Sequence, residues 1–239
     1  MFLHWTPAVN QSNRSYFVNS FTSQSAAETL TTQAKFGTYS ANVRGAGFVR
    51  YFAVPDFDIL TDDFAIEFWY WLDTAPPVDI PMLAQSSAIT QASGGGLTFY
   101  NPSGGVSWSF QQKSDGTLRV QGLDTEKNLG SISTASWHHI AVSRTSGTLE
   151  TYLDGVRITT NTYTDSVTGG RSIWFIGFSR PVPNDSDPGY FIDGFRFSIG
   201  SNAGYTGTTI TMPTSMPAEV LGQTRLRLNF EGSFDDIPG

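Results

Sequence analysis

The fold is indicated most clearly by residues 137–160, which read WHHIAVSRTSGTLETYLDGVRITT. Short apolar runs alternate with polar residues in this stretch, a pattern typical of strands. Asp154-Gly155 separates two of these runs. This dipeptide is the strongest short-range hairpin signal, because a type I′ turn needs positive φ. With a further turn at residues 145–147, the stretch predicts a three-stranded antiparallel meander.

A second long strand is predicted at residues 64–72, which read FAIEFWYWL. Both of its faces are apolar, as is usual for a central strand that is covered on both sides. Pro76-Pro77 ends it, because proline cannot donate a hydrogen bond to a sheet. Shorter strands are predicted at residues 39–43, 48–54, 97–100, 106–111, 117–121, 172–178, 190–199 and 225–230, and loops at 85–96 and 180–189.

The composition excludes several classes of protein. The chain has 239 residues, of which 15% are charged and 14% aromatic. It is therefore too aromatic for a disordered protein and too poor in helix-forming residues for a helical bundle. Its net charge of -7 argues against a nucleic-acid partner. The absence of cysteine excludes disulfides and thiolate chemistry.

No apolar run is long enough to span a membrane, and residues 1–7 lack the pattern of a signal peptide. No segment keeps a helical period either, and we predict an all-β fold, a two-sheet antiparallel β-sandwich. We expect an N-terminal segment with a first strand at residues 1–29, the sandwich at 30–200, and a C-terminal extension with a closing strand at 201–239.

Three blocks of sequence resemble the laminin G-like domains of the concanavalin A-like lectin and glucanase superfamily. Their order and spacing together carry the resemblance, which spans about residues 30 to 210. It implies a concanavalin A-like jelly roll. The blocks are residues 62–69 (DDFAIEFW), residues 137–155 (with WHHIAVSR, GTL and YLDG), and residues 176–197 (with IG and FIDGFRF).

Residues 203–217 are similar to a motif of laminin G-like domains in bacteriophage structural proteins. The matching pieces are AGYTG and MPTSMP. This resemblance implies a non-enzymatic virion structural protein, either a capsid decoration or a tail or fibre component. Its expected location is the phage particle, and its expected partners are other virion proteins or copies of itself, with a homo-oligomer expected.

An alternative function is a carbohydrate-binding, lectin-like module or adhesin that recognises a surface glycan. Aromatic side chains stack on sugar rings, although most of them bury their area in a core. Trp71 is a candidate because it departs from the family pattern. Tyr100, Asn101 and Trp108 flank a predicted hairpin at residues 102–105 and are candidates for a loop-borne site.

A calcium site is a further candidate, at Asp185, Asp187 and Asp193. Calcium binds six to eight oxygen ligands, often from clustered carboxylates and loop carbonyls. The alternative is that these aspartates cap turns with their own side chains.

No enzymatic activity is expected from the sequence. The superfamily's glucanases place carboxylates at alternate positions of one strand, and none of the six glutamates here makes that pattern. His138 and His139 point to opposite faces of one strand and cannot readily share a metal, and no nearby Ser–His–Asp order indicates a catalytic triad. We expect one imidazole to be packed and the other to lie at the surface.

Overall fold

The computed structural model describes residues 21–24, 27–30, 32–43, 48–51, 57–76, 79–86, 88–91, 97–100, 106–123, 126–167, 172–176, 190–228 and 230. Within these ranges the regular structure is almost entirely β-strand. None of the described residues belongs to a helix long and apolar enough to cross a membrane.

Seventeen strands occur in the described part of the chain. They are β1 (Phe21–Gln24), β2 (Ala27–Leu30), β3 (Ser40–Val43), β4 (Phe48–Tyr51), β5 (Phe64–Leu72), β6 (Ile80–Ser86), β7 (Ala88–Gln91), β8 (Leu97–Tyr100), β9 (Val106–Gln112), β10 (Thr117–Gln121), β11 (Lys127–Ser131), β12 (Trp137–Thr145), β13 (Thr148–Leu153), β14 (Val156–Thr162), β15 (Ser172–Ile176), β16 (Tyr190–Ile199) and β17 (Thr224–Leu228).

The larger sheet has the order β14-β13-β12-β5-β16-β3-β2, with β17 paired to β16 beside β3. The smaller sheet has the order β1-β4-β15-β6-β9-β10-β11, and β7 and β8 form a separate hairpin. The strand pairs are antiparallel, and the two sheets pack on each other. The predicted two-sheet antiparallel β-sandwich is therefore confirmed.

The core lies between the inner faces of the two sheets. Phe68 of the larger sheet meets Phe110 of the smaller sheet edge to face, with ring centroids 5.0 Å apart. The Tyr190 hydroxyl donates a hydrogen bond of 2.6 Å to the Met82 carbonyl of the opposite sheet. Large aromatic side chains supply much of the buried apolar area, which accounts for the aromatic content of the chain.

The meander and the central strand are both found as predicted. β12, β13 and β14 pair in sequence, and Asp154 and Gly155 form the second turn with φ of 49° and 79°. β5 lies between β12 and β16. Eight of its nine residues are buried, on both of its faces.

One loop prediction was wrong. The loop predicted at residues 85–96 contains the end of β6 and all of β7, because Gln85 is polar and the four residues of β7 are too few for a clear alternation. Residues 180–189 lie outside the described part of the chain. Residues 201–223 form no strand, and they lead into β17.

Candidate functional site

The outer face of the larger sheet points away from the core. It carries buried charged side chains and several aromatic rings. Register places its side chains in rows across β12, β5 and β16. The rows are Trp137, Trp71 and Phe191; then His139, Trp69 and Asp193; then Ala141, Glu67 and Arg196; and then Ser143, Ala65 and Ser198.

A buried ionic network occupies the middle of the outer face. Glu67 has no exposed surface, and its carboxylate pairs with the Arg196 guanidinium. The same carboxylate accepts a hydrogen bond from the Tyr205 hydroxyl and lies 3.2 Å from Nε2 of His139. Burial, and then the neighbouring Glu67 carboxylate, raise the pKa of Tyr205, so the phenol stays a neutral donor. A buried carboxylate needs such partners, because an unpaired buried charge is very costly.

The covering segment, residues 201–223, brings Tyr205 to this network. Ser143 donates a 3.0 Å hydrogen bond to the Tyr205 carbonyl, and Tyr152 donates a 3.2 Å bond to the Gly207 carbonyl. Farther on, Ile210 N–H donates to the Gly155 carbonyl at 2.8 Å. The covering segment is thereby fixed across β12, β13 and the start of β14.

Gly155 is required where the covering segment meets the hairpin turn. A Cβ at this position would lie 2.9 Å from the Ile210 carbonyl oxygen. Its φ of 79° is also in the region that side chains disfavour. The Asp-Gly turn therefore serves two purposes, since it reverses the chain and lets the segment approach.

The calcium candidate Asp193 has a different role in the structure. Its carboxylate is buried and accepts hydrogen bonds from the backbone N–H groups of Lys35 (2.9 Å), Phe36 (2.8 Å) and Gly194 (2.7 Å). It anchors residues 35 and 36 to the sheet, and its oxygens are occupied by these donors. Asp185 and Asp187 lie outside the described residues. No group of metal-binding side chains occurs among the residues described.

Lys35 and Phe36 cover the second row of the outer face. Lys35 Nζ lies 3.6 Å from the centroid of the Trp69 ring, and Phe36 meets the same indole edge to face at 6.1 Å. Partial burial lowers the pKa of Lys35, although Asp154 and Asp193 act in the opposite direction. The Trp69 ring is therefore covered and cannot stack on a ligand.

A tryptophan pair, Trp71 and Trp137, remains partly exposed at the end of the outer face. The two ring centroids are 5.8 Å apart at an interplanar angle of 58°. Trp71 Nε1 donates a 2.6 Å hydrogen bond to Oδ1 of Asp73, which is exposed. Trp71 is therefore placed where a ligand from solvent could reach it.

Of the other stacking candidates, the structure describes the side chain of Trp108 alone. Trp108 has 0% exposure and packs against Phe110 and Phe197 in the core, so its indole cannot stack on a ligand. Tyr100 ends β8 in the separate β7–β8 hairpin. Asn101 lies outside the described residues.

Comparison with known proteins identifies the family. The model of the concanavalin A-like lectin/glucanases superfamily matches residues 46–201. The chain belongs to this superfamily. In sequence, no curated protein matches the chain.

Two solved structures illustrate how widely the fold is used. A carbohydrate esterase from the Shiga toxin-encoding bacteriophage phi24B is 15% identical, with 77% of this chain and 92% of that chain covered at a TM-score of 0.50. The binding domain of botulinum neurotoxin DC, solved in complex with SialylT, is 12% identical, with 79% and 45% covered and a TM-score of 0.50. This chain spans less than half of the neurotoxin domain, and at such identities the likeness concerns the fold alone.

Sequence reasoning missed the covering of the outer face. The signals for it were Glu67 and Arg196, two charged residues inside strands that are otherwise largely apolar. A charge at such a position is rarely buried without a partner. Tyr205, in the segment similar to phage domains, supplies one of the partners.

Proposed function

We propose that this protein is a structural component of a bacteriophage particle, present as a capsid decoration or in a tail or fibre. One observation carries the proposal. The segment whose sequence is similar to phage laminin G-like domains, residues 203–217, belongs to the covering segment and supplies Tyr205 to the buried network around Glu67.

The closed outer face supports an architectural role. The larger sheet has a packed apolar inner face, and the outer faces of β5, β12 and β16 are largely buried, with residues 35–36 and the covering segment packed on them. The covering segment is hydrogen-bonded to β12, β13 and the hairpin turn, and a segment held in this way opens less readily to proteases. A rigid block of this kind suits a particle that is assembled from many copies.

The test is to locate the chain in virus preparations from the organism that encodes it. We expect density-purified particles to contain the chain in many copies, detected by mass spectrometry against a known capsid protein. Immunogold labelling then separates a capsid position from a tail position. Recovery of the chain only in the particle-free fraction would refute the proposal.

Self-association is measured separately, by light scattering of the purified protein. A virion component that binds copies of itself is expected to form a defined oligomer. A strictly monomeric protein that also fails to bind purified particles would count against a place in the virion.

Glycan binding is a second candidate function, favoured by the tryptophan pair. Two neighbouring indoles with partial exposure offer apolar faces to sugar rings, and Asp73 offers hydrogen-bond acceptors beside them. The neurotoxin binding domain of the same fold was solved with SialylT, which supports testing sialylated glycans first.

A glycan array, run with and without calcium, tests this candidate. We expect binding that Trp71→Ala and Trp137→Ala each reduce about tenfold or more, since a buried aromatic contact contributes a large share of the binding energy. Leu221→Ala is the matched control, because this apolar side chain is 73% exposed and lies in the covering segment. An array without signal in both conditions would remove glycan binding.

A further inference from the structure

A hydrogen-bonded chain of serine, histidine and aspartate lies at the rim of the sandwich. His138 Nδ1 is 2.7 Å from Asp154 Oδ2, and His138 Nε2 is 3.0 Å from Ser136 Oγ. Ser133 Oγ is 2.7 Å from Ser136 Oγ and 3.1 Å from the same imidazole nitrogen. The residues come from the β11–β12 connection, the start of β12 and the β13–β14 turn.

The β13–β14 turn holds Asp154 in place beside β12. Asp154 N–H donates to the His139 carbonyl at 2.8 Å, and His139 N–H donates to Asp154 Oδ1 at 2.8 Å. These bonds leave Oδ2 directed at the imidazole. On the other side, Ala135 N–H donates 2.8 Å to the Leu72 carbonyl and ties the serine-bearing connection to the end of β5.

The geometry allows an order of proton positions in which Ser136 is activated. Asp154 Oδ2 accepts from Nδ1 of His138, so the neutral imidazole carries its lone pair on Nε2, which lies 3.0 Å from Ser136 Oγ and also 3.0 Å from the Ser133 carbonyl oxygen. Ser133 can then donate to Ser136 Oγ while Ser136 donates to Nε2. A nucleophilic hydroxyl, a base and a group that orients the base are thereby in contact.

His138 and Asp154 are accessible to solvent, and the pKa of each is shifted by their mutual hydrogen bond. The side chains of His138 and Asp154 are 12% and 42% exposed, whereas His139 and Glu67 are fully buried. The hydrogen bond to Asp154 raises the pKa of His138 despite its partial burial. Burial acts to raise the pKa of Asp154, but the bonds from His138 and from the His139 N–H hold it below its usual value.

We propose that Ser136, His138 and Asp154 form a nucleophilic centre that cleaves short-chain carboxylic esters. Ser136 is the nucleophile, His138 is the base, and Asp154 orients the imidazole. Ser133 is a positioning residue that donates to the Ser136 oxygen.

The step balances with water as the second reactant. Ser136 Oγ attacks the ester carbonyl carbon, and its proton moves to Nε2 of neutral His138. The carbon–oxygen bond to the alcohol then breaks, and the leaving alkoxide takes that proton. Water attacks the acyl-serine in the same way, releases the carboxylic acid and restores Ser136.

The pH dependence follows from the groups around His138. Asp154 and the Ser133 carbonyl, 3.0 Å from Nε2, both favour the protonated imidazole. Lys35 acts on Asp154 from the outer face, and Tyr70, which pairs with His138 across the sheet, is buried, which raises its pKa and keeps it neutral. Only neutral His138 can act as the base, so kcat/KM is expected to rise with pH above 6.5.

The test uses the full chain, 4-nitrophenyl acetate and a fluorophosphonate label. We expect the label on Ser136, and a loss of about 100-fold or more in kcat/KM for Ser136→Ala and His138→Gln. Asp154→Asn keeps the turn and should also lower kcat/KM, with its pH profile displaced. Ser133→Ala should retain labelling at Ser136 with a smaller loss.

Thr134→Ala is the matched control, because it removes an exposed hydroxyl from the same connection and should leave the rate unchanged. Circular dichroism and thermal unfolding show that each variant is folded. If Ser136→Ala and the unchanged protein hydrolyse the ester equally, or if no label reaches Ser136, the cluster is a structural clamp only. That result would leave the virion proposal untouched, since particle association is measured independently.

Discussion

The inner and outer faces of the larger sheet are both buried, but by different means. The inner face of β5 packs Ile66 and Phe68 against apolar side chains of the core. The outer face of the same strand buries Glu67 by giving it Arg196, His139 and Tyr205 as partners. Apolar burial is approximately additive in area, whereas ionic burial depends on every partner being present. The two faces should therefore respond differently to substitution.

The largest effect is expected from breaking the ionic network on one side. Glu67→Ala leaves Arg196 buried without its carboxylate, and we expect the free energy of unfolding to fall by about 3–5 kcal/mol. Urea denaturation monitored by tryptophan fluorescence measures the change. The double variant Glu67→Met with Arg196→Met should recover part of this loss, because no unpaired charge remains, while the Tyr205 hydroxyl and His139 still lose their partner. A double variant as unstable as Glu67→Ala would contradict this account.

A smaller effect is expected from removing one hydrogen bond of the network. Tyr205→Phe keeps the ring over the sheet but withdraws the hydroxyl from Glu67, and we expect a loss of about 1–3 kcal/mol. Limited proteolysis of the variant should also cut the covering segment faster than in the unchanged protein. Equal stability and equal cleavage would show that the covering segment is held by its backbone hydrogen bonds alone.

Removing a small group from the inner face should lower the free energy of unfolding only modestly. Ile66→Val removes one methylene group beside Glu67 on the opposite face of β5, and we expect a loss of about 0.5–1.5 kcal/mol. The same denaturation measurement applies. Combining Ile66→Val with Tyr205→Phe tests whether the two faces are independent. If the loss of unfolding free energy in the double variant differs from the sum of the two single losses by more than about 0.5 kcal/mol, the faces are coupled through the strand.

The smallest effect is expected at the rim, where His138 and Asp154 are partly exposed. Because the folded-state pKa of His138 is raised, its stabilising charge is present below about pH 6.5 and is lost as pH rises through the folded-state value. Solvent limits the gain to about 0.5–1 kcal/mol. Thermal unfolding from pH 5 to pH 9 should show the unchanged protein losing its advantage over His138→Gln as pH rises. Parallel curves would show that the pair adds nothing to stability.

Most of the fold could be predicted from local sequence. Asp154-Gly155 specified its turn, and the runs around it specified three strands, because the period of two and positive φ are local properties. The faces of the strands could be predicted too. Trp108 is the exception, because it was taken as a ligand candidate although it lies in the core. Val106, Trp108 and Phe110 share one face of β9, so alternation favoured the core for Trp108 over a site in the loop.

The candidate site depended on contacts between distant residues. Asp193 and residues 35–36 are joined by hydrogen bonds that span more than 150 positions of the chain. The sequence singled out His138 and His139 and placed them correctly on opposite faces, with one packed and one near the surface. It did not place Asp154 beside His138, because that contact requires the β13–β14 turn to return to the start of β12. The contact of Ser136 with His138 is local, two positions along the chain, but it gains a role only once Asp154 is in place.

The sequence by itself determined an all-β sandwich of the concanavalin A-like superfamily, its central strand and its hairpin. Alternation fixes which side chains share a face, and turn chemistry fixes where the chain reverses. Only the tertiary structure decided what covers each face. The covering segment made Glu67 a buried ion, left the tryptophan pair partly exposed and shares the Asp-Gly turn with the serine–histidine–aspartate cluster. The physical reason is that burial of a polar group depends on partners brought from elsewhere in the chain, and no local pattern encodes them.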